Sequence, residues 1–159
     1  MEASLARLRE LAIAIPRPGC DWEERPRFGP PGVAEQVAAF ERAAGFPLSR
    51  DLQAFLATCG TVAAMSVQNG YWIGDVVNQA HALASGNYPR EVSGELAVPI
   101  GSDGGGNIFL QSRGGRVWRW DHETGCVALV AESFADFLDR VAEDWAAYIA
   151  DTPGWKFLV

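Results

Sequence analysis

Positive charge is scarce in this sequence. Thirteen Lys and Arg stand against 20 Asp and Glu, for a formal net charge of −7. The arginines fall singly, at Arg42, Arg50, Arg90 and Arg140, or in loose groups near the N-terminus and around Arg113, Arg116 and Arg119. Neutralising phosphates takes a clustered basic face, so no direct contact with nucleic acid is expected. An acidic surface suits a basic protein partner or plain solubility. Cysteine is also sparse. Cys20, Cys59 and Cys126 are odd in number, lie far apart and form no C-x-x-C pair with His81 or His122, a pattern that fits a reducing cytoplasm. Long hydrophobic runs are missing. The opening MEASLARLRELAIAI carries charges through residue 10, so neither a secretory signal nor a membrane span is expected, and the location read from the sequence is cytoplasmic.

What is present is an ordinary globular mix. The 159 residues are 48% hydrophobic and 21% charged, which favours one compact domain. A domain of this length buries roughly two thirds of the surface its unfolded chain exposes, enough for a core without disulfides or metals. Leu5, Leu8, Leu11, Ala12 and Ile15 form one helical stripe, ended by Pro16 and Pro18. The Pro- and Gly-rich stretch that follows reads as a connection anchored to the core by Trp22 and Phe28. A helix is predicted from Val33, with Val37, Phe40 and Ala44 on one side and Gly45 as its stop. A second is predicted from a Ser49 cap through Leu52, Phe55, Leu56 and Cys59, closed by Gly60.

Beyond Gly60 the period shifts toward two. VAAMSV and YWIG flank the turn-forming Asn69-Gly70 and predict a hairpin, and Asp75 can cap a helix through Leu83. The runs LAVPI, NIFLQ, RVWRW and CVALV, separated by SDGGG, SRGG and DHETG, predict an antiparallel meander. Ser133 then caps a strongly amphipathic helix carrying Phe134, Phe137, Leu138, Val141, Trp145, Tyr148 and Ile149 on one stripe. The tail alternates Trp155, Phe157 and Val159, as a short edge strand or a docked extension would.

No motif asks for chemistry. The loop GSDGGGN (101–107) lacks the Lys-Ser/Thr ending and following helix of a phosphate-binding loop, and it leads into a strand. A tight turn is expected instead, with at least one of Gly104, Gly105 and Gly106 at positive φ and Asp103 bonding turn amides. Asp103, Asn107, Asp121 and Glu123 form no calcium-loop pattern. In DHETG, Asp121 closes a turn, Gly125 takes the left-handed position and His122 is exposed. No G-x-S-x-G or H-E-x-x-H accompanies either histidine. Cys59 on a helix stripe and Cys126 at the start of a strand are expected to be buried as small hydrophobes. No catalytic residue, cofactor or metal is expected. The chain has six tryptophans, and Trp118 and Trp120 share one strand face with Arg116. An exposed member of the set Trp72, Trp118 and Trp120 beside arginine would be an interface hot spot.

Four blocks in this order resemble the SUKH superfamily, in particular its Smi/Knr-like branch. They are VAEQVAAFERAAGFPLSRDLQAFLATCG (33–60), VPIGSDGGGNIFLQ (98–111), RVWRWDHETG (116–125) and ESFADFLDRV (132–141). Phe40, Glu41, Gly45, Pro47, Leu48, Phe55 and Leu56 match the family's opening pattern, and Ser102 to Gly106 its loop. The chain departs from that pattern at Asn107, where an acidic residue is common, and at Cys59-Gly60-Thr61, where an Asn-Gly pair often follows the helix. The resemblance implies an α+β fold, a single domain with helices packed on a curved antiparallel β-sheet. Within 1–159, residues 1–32 form the N-terminal helix and connection, 33–145 the core region and 146–159 a C-terminal extension.

Bacterial members of the family are mostly non-catalytic immunity proteins that bind and neutralise a cognate polymorphic toxin. The resemblance therefore implies a protein toxin as partner in a one-to-one complex, with this chain a monomer. The acidic charge points to a nuclease or nucleobase deaminase with a cationic cleft. Expected contact residues are Asp103, Asn107, Trp118, Trp120, Asp121 and Glu123 around the sheet loops, with Asp139, Glu143 and Asp144 if the last helix faces the same way. A general interaction or regulatory module without a toxin partner is the alternative, and an unrecognised small-ligand binder or enzyme is a third reading.

Overall fold

The computed structural model describes residues 1–15 and 25–159; Pro16, Pro18, Cys20 and Trp22 lie outside the described residues. The elements are α1 (Glu2–Ala14), β1 (Arg27–Phe28), α2 (Ala34–Ala44), α3 (Arg50–Thr58), β2 (Thr61–Ala64), β3 (Tyr71–Gly74), α4 (Val76–Ser85), β4 (Glu91–Val92), β5 (Glu95–Asp103), β6 (Ile108–Ser112), β7 (Val117–Trp120), β8 (Val127–Ala131) and α5 (Phe134–Ile149). The strands form one antiparallel sheet in the order β1-β2-β3-β5-β6-β7-β8, with β4 pairing on β5. The fold is α+β, as the sequence implied.

The helix starts follow from side-chain caps. Ser49 Oγ accepts from Leu52 N, Asp75 Oδ1 from Asn78 N and Ser133 Oγ from Asp136 N, each satisfying an amide that the first helical turn leaves free. α2 ends at Gly45 in the left-handed region, φ 82°. α3 ends differently from expectation: Cys59 closes it in extended backbone. Gly60 serves close packing instead, since a Cβ there would lie 2.6 Å from Pro30 O.

α5 and the sheet make the centre of the core. Phe134, Phe137, Leu138, Val141 and Trp145 are fully buried. Phe137 packs 4.8 Å from Phe109 of β6, and Phe134 packs 5.1 Å from Phe55 of α3. Each large apolar side chain so buried contributes about 1.5–3 kcal/mol. α1 lays Leu5 and Leu8 into the same core, and Phe28 meets Trp145 edge-on at 6.4 Å. Val33, expected on the apolar stripe of α2, precedes that helix and is 51% exposed.

The register sorts the sheet residues into two faces. Ile73, Gly101, Phe109, Arg119 and Ala128 form one cross-strand row, on the side of α5. Trp72, Ser102, Ile108, Trp120 and Val127 form the neighbouring row on the opposite face. Register shifts between Pro99 and Gly101 and between Val117 and Trp118 bend the strands.

The tail is docked without forming a strand. Trp155 Nε1 donates to Asp144 Oδ1 at 2.7 Å, and Leu158 N donates to Asp144 Oδ2 at 2.8 Å. Leu158 and Val159 pack against the core. Tyr71 OH completes the cluster by donating to Asp144 Oδ2. Burial and then the Asp144 charge push the Tyr71 phenol far above its ordinary range, and burial pushes Tyr88 up to about 12. Unfolded tyrosine ionises near pH 10. The folded state holds these protons longer, so the stability they give is complete below about pH 10 and is lost as pH rises beyond it. Denaturant titrations between pH 8 and 11 should show that fall, with a smaller one in Tyr71→Phe.

Candidate protein-docking face

Strand alternation sets up the site. Along β7, Val117 and Arg119 point toward α5, while Trp118 and Trp120 point to the opposite face. Trp118 stands between Leu110 of β6 and Leu129 of β8, and Trp120 stands between Ile108 and Val127. Leu129 is 44% exposed and Val127 38%, while both tryptophans are half-buried. The row continues through Ser102 to Trp72. There a groove of about 330 Å³ opens between Trp72, Ser102 and Ile108 on the sheet and Asn78, Gln79 and Ala82 of α4. The indole N–H groups of Trp72 and Trp118 are buried without a hydrogen-bond partner among the described residues. Aromatic and aliphatic side chains gathered on one open face, in a chain of net charge −7, have the composition of a protein-docking patch.

The loops at one end of this face are built by carboxylates. Asp121 Oδ1 accepts from Glu123 N at 2.9 Å and Thr124 N at 3.0 Å, and Gly125 takes φ 71°. The Thr124 amide bond, ahead of the others, holds the Asp121 carboxyl below its usual range, so the group is ionised at neutral pH. In the glycine loop, Asp103 Oδ1 accepts from Gly105 N and Asn107 N, both at 2.9 Å. Asp103 Oδ2 accepts from Asn107 Nδ2 at 2.7 Å and pairs with Arg119 at 3.2 Å. Gly106 is left-handed at φ 89°, and Gly104 N donates to Asn69 O so closely that a Cβ would sit 2.1 Å from that oxygen. The loop is a structural turn, as its sequence predicted. Asn107 Oδ1 then bridges to His122, accepting from its N at 3.2 Å and lying 3.3 Å from its exposed ring.

Of the contact residues read from the sequence, the structure gathers Trp118, Trp120, Asn107, Asp121 and Glu123 at this face and its end. The structure places the other four elsewhere, and these need correction. The Asp103 side chain is fully buried and committed to its loop and Arg119. Asp144 is 2% exposed, because it lies on the inner side of α5 and holds Tyr71 and the tail. Asp139 and Glu143 are exposed on α5, but that helix packs on the other face of the sheet, so they do not join the tryptophans. Arg116 is exposed beside Trp118 and pairs with Glu132 at 3.5 Å.

Cys126 is a further correction: it is exposed, because the strand it leads into is the last of the sheet, whereas Cys59 is buried as expected. Burial, the largest influence, also pushes the Cys59 thiol up. Alkylation of the native protein followed by peptide mass mapping should therefore label Cys126 quickly and Cys59 only on unfolding. Val127, Leu129 and Ile108 were not singled out as contact residues. They read simply as strand hydrophobics, and only the pairing shows which of them stay open.

Among the described residues no group of three His, Cys, Asp or Glu side chains is placed to hold a metal ion, and no helix is long and apolar enough to cross a membrane. Fold and site together define a small α+β protein with an open apolar strip on the sheet face turned away from α5. Residues 32–140 match the SMI1/KNR4 family (SUKH-1), and the chain belongs to that family. No curated protein matches it.

Proposed function

We propose that this protein is a non-catalytic, cytoplasmic immunity protein that neutralises a cognate polymorphic toxin by binding it one to one. The observation that carries the reading is the open strip of Trp118, Trp120, Val127 and Leu129 on a SUKH-1 fold. Tryptophan is the residue type that most often dominates an interface when fully desolvated. The net charge of −7 supports a toxin with a cationic nucleic-acid cleft, a nuclease or nucleobase deaminase, because opposite charge steers the encounter. Asp121, Glu123 and Asn107 frame the end of the strip, where such a cleft would meet it.

The test is protection of cells that express the toxin encoded beside this chain's gene. Full protection by the wild type is expected. Single alanine variants of His81, His122, Cys20, Cys59 and Cys126 should protect equally when folded, since none performs a chemical step. Loss of protection in a native-like His122→Ala variant beyond an interface contact of about 1–3 kcal/mol would favour an enzyme or metal reading. Association rates measured across a salt series should fall steeply as the Debye length shortens. A flat response would remove the electrostatic component.

A further inference from the structure

The outer edge of β8 pairs with no strand among the described residues. Asp121 N donates to Cys126 O at 2.9 Å, and main-chain groups alternate sides along an antiparallel strand. The N–H and C=O groups of Val127 and Leu129 therefore point away from β7, out of the sheet. These are also the residues whose exposed side chains flank Trp120 and Trp118. Open main-chain valence and open apolar surface thus coincide.

Natural edges are usually blunted by lysine, proline or inward charge. From Cys126 to Ala131 this edge carries none of them. Its one irregularity is the register shift that leaves Val130 unpaired, so the regular part of the edge runs through Val127 to Leu129. Acidic groups bracket it, with Asp121 and Glu123 before the strand and Glu132 after it.

We propose that β8 receives an extended segment of the toxin, which joins the sheet as an added strand. This rests on the immunity reading above and assigns the mode of docking. The segment is apolar at alternate positions, to cover Val127 and Leu129 beside the tryptophans, and carries Lys or Arg at its ends to meet the bracketing carboxylates. A second copy of this chain fits the edge less well: it would bring its own acidic brackets and a further charge of −7 to the same place.

Val127→Pro tests the main-chain component, because the Val127 N–H faces outward and its loss removes no bond to β7. Val127→Thr keeps that N–H and the branched shape. Binding would be measured with the full-length chain and the inactivated toxin domain encoded beside its gene. Affinity should fall about a hundredfold or more in Val127→Pro, well beyond the fall of up to about tenfold that losing one methyl contact gives in Val127→Thr. On complex formation, the Val127 and Leu129 amides should exchange hydrogen at least about tenfold more slowly. If Val127→Pro does not fold, the exchange protection of the Val127 and Leu129 amides in the wild-type complex carries the main-chain test by itself.

Tight toxin binding with both amides unprotected, or unaffected by Val127→Pro, would overturn the added strand and leave the immunity reading in place. A wild-type chain that neither binds nor protects would defeat that reading and this inference with it. Self-association of the wild type that Val127→Pro abolishes would assign the edge to a second copy and overturn the toxin strand.

Discussion

Asp144→Ala is expected to lower the unfolding free energy by about 3–5 kcal/mol, measured by denaturant titration at pH 7. The carboxylate is buried and accepts from Tyr71 OH, Trp155 Nε1 and Leu158 N. Alanine would leave a phenol, an indole and a main-chain amide without their acceptor, and each unsatisfied buried group costs about 1–3 kcal/mol. The loss is not a full sum, because the tail can lift and let water reach Trp155 and Leu158. Hydrogen exchange at the Leu158 amide should accelerate in the variant, while amides in β6 should follow only the global change. Unchanged stability would mean that Asp144 holds nothing together.

Asp103→Ala should cost about 2–4 kcal/mol, by a different route. Its carboxylate is the centre of the glycine loop, accepting from two amides and from the Asn107 side chain while pairing with Arg119. Without it, the half-buried Arg119 loses its partner on the α5 face, and the turn that places Asn107 against His122 loses its acceptor. Asp103→Asn is the more informative variant. It keeps the size but offers one carbonyl oxygen to donors that occupy two, so it should recover only part of the loss. Recovery to wild-type stability would show that charge and the second oxygen are dispensable.

These two carboxylates also show where sequence reading stops. Caps at Ser49, Asp75 and Ser133 were legible because a short oxygen-bearing residue before an apolar period has one common use. The β5–β8 meander was legible from its turn-rich spacers. β1 and β4 were not, since two residues have no period and are strands only through their partners. Asp144 read as an exposed partner-contact residue, although it lies three residues after Val141 and four before Tyr148, on the inner stripe of α5. That spacing was the available signal, and charge alone outweighed it. Trp118 and Trp120 could be placed on one face of a strand. That their face is shared with Val127 and Leu129, and turned away from α5, depends on register and on β8 being last in the sheet. Both are properties of pairing across the chain.

The account turns on which surface would meet the proposed toxin partner, and calorimetric titration of that partner's inactivated domain with two double variants tests it most directly. Trp118→Ala/Trp120→Ala removes the centre of the proposed face, and Asp139→Asn/Glu143→Gln removes two exposed charges from the opposite layer. The account predicts an affinity about a hundredfold weaker or more for the first, with the fold retained, and a change within about threefold for the second. Full affinity in the tryptophan variant, with binding lost in the α5 variant, would contradict it.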